Sequence, residues 1–363
     1  MTRVFFISFV CVFVSVFSIQ AQKDTTTVDE VKNFNITAYP VLFYLPETRW
    51  GAGGASVITF RLPGEKASSR PSSFNGGVAY TQNKQLLFFF PYSLYKNSDD
   101  IKVIGEIGYY IYFYNHYGIG NDSNLSDQEI YDVKYPRIHT SVLHRFGDFY
   151  LGIKTRYDNY DITELKEGGL LVNDQWASQG GGQLLTYGPL VQYDTKDFQF
   201  HPSKGWLAEA GLITSKEGIL SDATFTKFHL DARHYMSLMD NHIIASNVYF
   251  GHIWGDVPFS ELFYYGSNKR ARGFADRRFK DRSFLAVQSE YRFPIWRWLG
   301  GVTFLSTSAV GDGTDDLFDN TFRWTGGGGL RITLNEADRV RLRLDYAFSE
   351  EGTNFYLTAN NAF

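Results

Sequence analysis

Three sets of polar side chains in this 363-residue chain could carry chemistry. The first is a row of arginines. Arg339, Arg341 and Arg343 alternate with apolar residues, share a face with Asp345, and are joined by Arg331 from the preceding run. Such a row selects anions if it lines an open pore, or cross-links the interior if the space is filled; the second reading is the simpler. The second set is acidic: Asp312, Asp315, Asp316 and Asp319 crowd one short segment. Their spacing does not match a twelve-residue calcium loop, so the segment reads as a solvated acidic loop. The third set is His144, His201, His229, His234 and His252, none of which stands in a nucleophile motif. The sequence therefore gives no catalytic residue, no metal-ligand set and no cofactor site, and the chain is not read as an enzyme.

The elements that would position these side chains are strands. From Arg339 onward, Arg339, Arg341, Arg343 and Asp345 fall on one face and Val340, Leu342, Leu344, Tyr346 and Phe348 on the other. After a polar turn of Ser349, Glu350, Glu351 and Gly352, a second run places Phe355, Leu357, Ala359 and Phe363 opposite Tyr356, Thr358 and Asn360. Alternation of period two, with charge on one face only, is a strand between water and something apolar. The same pattern recurs upstream. Lys227, His229, Asp231 and Arg233 alternate with Phe228, Leu230 and Ala232, and Glu290 and Arg292 alternate with Ser289, Tyr291 and Phe293. Sixteen strands are expected in all: 36–44, 52–62, 73–82, 85–93, 101–114, 133–146, 148–158, 184–194, 205–216, 222–238, 241–254, 282–293, 297–311, 323–334, 337–348 and 353–363.

Composition points to the same class. Aromatic residues make up 17% of the chain and glycine appears 34 times, as aromatic girdles and many short strands require. Beyond the N-terminus no run approaches 18 consecutive apolar residues, so no transmembrane helix is expected. Residues 1–21 read as a secretory signal peptide: Arg3, a nearly unbroken apolar run from Val4 to Ile19, and a small residue, Ala21, for cleavage. The only cysteine, Cys11, lies in this segment, and Val10 before it is too large for a lipoprotein cleavage site. The mature chain then has no thiol chemistry, disulfide or cysteine-bound zinc. Without Arg3 it carries 34 Lys and Arg against 39 Asp and Glu, a net charge of −5, which argues against a nucleic-acid surface. Residues 22–35 read as a polar linker and 36–363 as one barrel domain.

The connections separate a membrane barrel from a soluble sandwich. The long ones, 115–132, 159–183, 255–281 and 312–322, all follow odd-numbered strands, and most connections after even-numbered strands are short; 63–72 and 195–204 are the exceptions. Long loops on one rim and tight turns on the other describe an outer-membrane barrel, with the long loops outside the cell. The fold class expected is all-β: a transmembrane antiparallel barrel of about sixteen strands in the outer membrane of a Gram-negative bacterium.

Four stretches then resemble the BamA/TamA family, the bacterial surface antigen superfamily. They are Asp194-Thr195-Lys196-Asp197 with His201-Pro202-Ser203-Lys204-Gly205-Trp206; Phe263-Tyr264-Tyr265-Gly266-Ser267 leading to Arg272-Gly273-Phe274; Glu290-Tyr291-Arg292-Phe293-Pro294; and Leu344-Asp345-Tyr346-Ala347-Phe348 through Phe363. Tyr117-Gly118-Ile119-Gly120-Asn121 is a weaker fifth echo. The resemblance implies that the loop before Arg272-Gly273-Phe274 folds into the barrel lumen and that its arginine meets acidic groups on the inner wall. Arg272 would be that arginine, Gly273 would allow the tight reversal, and Phe274 would pack beside it. Strand alternation puts Glu290 on the lumen face, making it the expected partner, since a planar guanidinium can hold a carboxylate through two hydrogen bonds. Where the family has a further Asp-x-Gly acid, this chain has Ser306-Thr307-Ser308, so one acidic partner is expected to be missing and the plug to be held less firmly.

The resemblance also implies an activity: helping to insert or move proteins, or lipid, at the outer membrane through a weak seam between the first and last strands. Here 36–44 would meet the closing strand that carries Phe355, Leu357 and Phe363. The family's periplasmic POTRA domains find no counterpart in the sequence, so unfolded outer-membrane protein clients would come from a separate periplasmic partner or from the lipid itself. The alternative is a passive channel or structural barrel with no assembly activity; a hydrolase on the barrel rim is a third reading.

Overall fold

The computed structural model describes residues 34–66, 69–198, 201–335, 340–359 and 362–363. The expected signal peptide, residues 22–33 of the expected linker, and Arg339 lie outside those residues. Phe34 and Asn35, expected in the linker, already belong to the first strand.

Sixteen strands close into one antiparallel barrel. They are β1 (Phe34–Leu45), β2 (Arg49–Phe60), β3 (Ser72–Thr81), β4 (Leu86–Lys96), β5 (Ile101–His116), β6 (Glu129–Phe146), β7 (Phe149–Glu164), β8 (Gly181–Asp194), β9 (Gly205–Ser215), β10 (Phe225–Met239) and β11 (His242–Gly255), then β14 (Ser283–Trp296), β15 (Leu299–Gly311), β16 (Arg323–Asn335), β17 (Val340–Ser349) and β18 (Gly352–Ala359). The two remaining strands, β12 (Phe263–Tyr265) and β13 (Phe279–Asp281), form a separate short hairpin inside the connection from β11 to β14. Each barrel strand pairs with its sequence neighbours, β11 pairs directly with β14, and β1 closes on β18.

The outward faces carry large apolar side chains all round the wall: Phe34, Ile36, Phe74, Phe88, Ile107, Ile138, Ile153, Leu212, Val287, Leu305 and Tyr346 are all exposed. A continuous apolar belt of this kind has no counterpart on a soluble monomer and is the lipid-facing surface of a membrane barrel. The inward faces carry Lys102, Asp158, Asp231, Glu290, Arg292, Arg331, Arg343 and Asp345, all buried.

β6 and β7 run further than their alternation predicts, β6 starting at Glu129 and β7 ending at Glu164. At this end of the two strands the pattern inverts. Tyr131, Val133, Tyr135, Tyr160 and Ile162 point inward and are buried, while Lys134, Asn159 and Asp161 are exposed. Here the wall stands above the lipid, so water lies outside and a packed interior inside.

Candidate functional site

The connection from β11 to β14 turns back into the lumen and fills its long-loop end. Phe259, Leu262, Phe263, Tyr265, Ala271, Phe274 and Phe279 pack there against Tyr131, Tyr135, Tyr160, Phe225, Ile253 and Phe284 of the wall. Phe274 meets Tyr265 and Phe279 edge-on at centroid distances of 5.7 and 5.6 Å. A second, smaller cap comes from the loop after β7, where Leu171, Trp176 and Ala177 join the same cluster.

Charge ties the plug to the wall at several points. Near its start, Glu261 meets Arg156 at 2.5 Å and Lys227 at 3.8 Å. Burial works to raise the Glu261 carboxyl, but the charges of Arg156 and Lys227 outweigh it and hold the group at about 2. Arg270 reaches Asp231 at 3.0 Å, and Arg278 reaches Glu351 at 2.7 Å.

Arg272 is at the centre of this anchoring. Its Nη2 donates to Glu290 Oε1 at 2.6 Å and its Nη1 to Asp345 Oδ2 at 2.6 Å, while its guanidinium lies 3.5 Å from the Phe304 ring centroid. Burial works against the charge, yet the two carboxylates hold the Arg272 pKa above its ordinary value. The second acid was expected to be missing, because Ser306-Thr307-Ser308 replaces an acidic motif. That expectation is corrected here: Asp345 of β17 supplies the acid, and the Ser306 hydroxyl instead pairs with Thr325 at 2.6 Å. The sequence had put Asp345 on the lumen face beside the arginine row, but the approach of a loop 73 residues away leaves no local signal.

The arginine row surrounds the same two acids. Arg292 donates to Glu290 at 2.9 Å, Arg331 to Asp345 at 2.5 Å, and Arg343 Nε lies 3.4 Å from Asp345. Four guanidinium groups thus share two carboxylates in a dry setting, where charge-assisted hydrogen bonds are strongest.

Gly273 has φ +115°, and a Cβ there would lie 2.8 Å from the backbone of Phe348, so only glycine fits the turn. Its amide donates to the Tyr356 hydroxyl at 3.0 Å, and its carbonyl accepts from Ser349 at 3.1 Å and Asn354 at 2.9 Å. All three partners belong to the β17–β18 hairpin, so the plug turn is fastened to the strand that closes the barrel.

That closure is narrow. β5 and β6 pair without a break from Ile101–His144 to His116–Glu129, whereas β1 and β18 are in register only at Tyr44 with Leu357 among the described residues. Phe355 sits outward, half-exposed, with its ring 5.9 Å from Tyr44. Phe363 is placed differently from its expected position in the closing strand. β18 ends at Ala359, and Phe363 is buried with Ala362 against Tyr235 and Ala245 inside the barrel. Its main-chain oxygen accepts from Arg292 at 2.8 Å. Carried on in register, the strand would have covered β1 down to Ala38. Instead Ala362 and Phe363 lie inside the barrel, and most of β1 has no partner on that side among the described residues. A cavity of about 570 Å³ on the wall beside this edge is lined by small residues, Ala38, Pro40, Gly54, Ser56 and Gly76, with Phe88 and Phe90 at its far side.

These features define the site by geometry, and sequence comparison gives it a family. A model of the Omp85 superfamily domain matches residues 66–363. The chain belongs to the Omp85 superfamily. Its Omp85 barrel is similar to that of BamA from Haemophilus ducreyi, in a structure lacking POTRA domains 1–3, at 14% identity and TM-score 0.60, covering 90% of this chain and 70% of that one. It is also similar to CdiB from Acinetobacter baumannii (13% identity, TM-score 0.55, 90% of this chain and 60% of that) and CdiB from Escherichia coli (12%, 0.60, 92% and 64%). The chain thus spans less than two thirds of either CdiB chain. No curated protein matches its sequence. As an Omp85-type barrel it is an outer-membrane protein.

The other candidate residues do not converge. His252 Nδ1 lies 2.6 Å from the Ser283 hydroxyl, but Ser283 is fully buried and out of reach of a substrate carbonyl. His229 faces Glu209 at 3.3 Å within the lumen, and His234 stacks on Trp206 at 4.2 Å. In the acidic loop, the Asp316 carboxylate accepts from the Asp312 amide at 2.9 Å, beside a short helix (Thr314–Asp319).

Proposed function

We propose that this Omp85 barrel assists the insertion or translocation of proteins at the outer membrane through its β1–β18 seam. The reading is carried by the single register pair, Tyr44 with Leu357, that joins β1 to β18 among the described residues. Strand pairing is what keeps a barrel wall shut in lipid, because an unpaired backbone group there costs several kcal/mol. A seam paired this sparsely among the described residues would leave the edge of β1 ready to accept a strand from a client, which is recognition by strand addition. The cavity lined by Ala38, Pro40, Gly54, Ser56 and Gly76 lies beside that edge and removes side-chain bulk where an incoming strand or lipid chain would pass.

The plug and the seam work together in this reading. Gly273 is fastened to Tyr356 and Asn354 of β18, and Arg272 to Asp345 of β17, so opening the seam and loosening the plug draw on the same contacts. The roles assigned to Arg272, Gly273, Phe274 and Glu290 (holding the plug), and to Phe355, Leu357 and Phe363 (at the seam), are part of this proposal. Clients would be unfolded outer-membrane proteins, delivered by a separate periplasmic partner or taken from the membrane, and export would follow removal of residues 1–21.

Depleting the protein tests the reading. The outer-membrane proteome should lose particular barrels or surface-exported proteins. An unchanged proteome with unchanged lipid asymmetry would refute it. The passive-channel alternative makes a different forecast, a steady conductance in planar bilayers that Arg272→Ala leaves unaltered. The plug packed into the long-loop end of the lumen favours the first reading.

A further inference from the structure

The arginine row has a consequence beyond anchoring the plug. On the plug's underside, facing the short-turn end of the barrel, Lys269 is exposed, and its amine makes no hydrogen bond or ion pair among the described residues. Three arginines stand round it. Arg270 and Arg233 share one carboxylate, Asp231, at 3.0 and 2.8 Å. Arg343 donates to the carbonyl of Asn268, next to Lys269, at 2.7 Å. Enclosure of this surface-accessible amine within the barrel, followed by the charges of Arg270, Arg233 and Arg343, lowers the Lys269 pKa, as expected of an amine among like charges.

The charges do not balance. Six arginines, Arg233, Arg270, Arg272, Arg292, Arg331 and Arg343, share the acids Asp231, Glu290 and Asp345, Arg292 also donating to the main-chain oxygen of Phe363, and Lys269 adds a seventh positive charge with no acid of its own among the described residues. The further acids within reach are Glu106, which accepts from the Tyr110 hydroxyl, and Glu209, which is matched by Lys154 and His229. Donors are left over too. Arg331 Nε, on a side chain 3% exposed, makes no hydrogen bond among the described residues, and Arg331 Nη2 and Arg343 Nε meet Glu290 and Asp345 only at 4.0 and 3.4 Å. A buried donor without an acceptor is costly, and a surplus of several positive charges favours an anion of more than one charge.

We infer that the cationic cluster on the plug's underside, built on Lys269, Arg233 and Arg270 and backed by the buried Arg331 and Arg343, is a binding site for a phosphate group. Guanidinium forks match phosphate oxygens two at a time, and a lysine adds a mobile point charge. A phosphate monoester carries close to two negative charges at neutral pH, which the surplus accommodates. The group could arrive as free phosphate or on a lipid headgroup entering from the short-turn end.

Isothermal titration of the refolded full-length barrel in a zwitterionic detergent, with inorganic phosphate and dihexanoyl phosphatidic acid as probes, tests this. Saturable binding of phosphate is expected. Lys269→Gln should weaken it about tenfold, the loss of one charge-assisted hydrogen bond, and Lys269→Glu should abolish it. Lys269 is exposed, so both variants should fold, which the native gel mobility of the unheated barrel reports. Phosphatidic acid binding at least tenfold tighter than phosphate would identify a lipid source, and equal affinity a free anion. The proposal is overturned if neither probe binds saturably, or if Lys269→Glu binds both as tightly as the unaltered protein.

Discussion

Replacing Arg272 with alanine and Glu290 with glutamine perturbs one ion cluster from its two sides, and the structure ranks the damage. Arg272 gives up two hydrogen bonds of 2.6 Å and its position over Phe304. Each such bond contributes about 1.5–3 kcal/mol. Both acids keep a partner, however: Glu290 retains Arg292 at 2.9 Å and Asp345 retains Arg331 at 2.5 Å. One surplus positive charge also leaves. The net cost should then be about 2 kcal/mol. Glu290→Gln removes an acid from a cluster already short of them, leaving four buried guanidinium groups with one carboxylate. Stranding buried charge in this way costs about 3–5 kcal/mol. Urea unfolding of the refolded barrel at neutral pH, followed by its 7 tryptophans, measures both. Glu290→Gln should be the more destabilising by about 1 kcal/mol or more. Equal losses, or a larger loss for Arg272→Ala, would refute the claim that positive charge is in surplus.

Two further outcomes follow from the plug. Gly273→Ala must place a Cβ 2.8 Å from the Phe348 backbone at φ +115°, so it should cost about 2–3 kcal/mol; trypsin should then cut after Lys269 or Arg270 in the folded barrel, and continued resistance would count against the turn's role. Glu47, in the turn after β1, is raised to about 8 by burial and then by the charge of Asp276 in the plug. Its folded pKa lies above the unfolded value of 4.5, so its contribution is fully present below pH 4.5 and is lost as pH rises towards 8. Hydrogen exchange in the β1–β2 turn should therefore quicken between those limits beyond its intrinsic pH dependence, and Glu47→Gln should remove the excess.

The barrel was legible in the sequence because lipid and a charged lumen impose opposite demands on successive residues. Lys227, His229, Asp231 and Arg233 announce their face, and all sixteen barrel strands overlap the segments expected. The pattern failed where those demands change. In β6 above the lipid, Tyr131 faces a packed plug, and the inverted alternation hid the start of the strand at Glu129. The short β12–β13 hairpin inside the plug also went unseen, since three-residue strands give no periodicity. Arg272 and Glu290 could be paired from strand parity and family resemblance, but Asp345 could not, because its partner comes from a distant loop. Phe363 continues the alternation of β18 in sequence, and nothing local marks its turn toward Tyr235 and Arg292.

The central claim is that the seam must open, and a reversible lock across it is the most direct test. Tyr44 and Leu357 are Cα partners across β1 and β18, and directly opposed residues in antiparallel strands lie within disulfide range. The mature chain is expected to hold no other cysteine, so Tyr44→Cys with Leu357→Cys should form one defined bridge. In cells that depend on the protein, the oxidised double variant should fail to restore the outer-membrane proteins lost on depletion, reductant should recover them, and each single variant should behave normally. Full restoration by a protein shown to be quantitatively bridged would contradict the account.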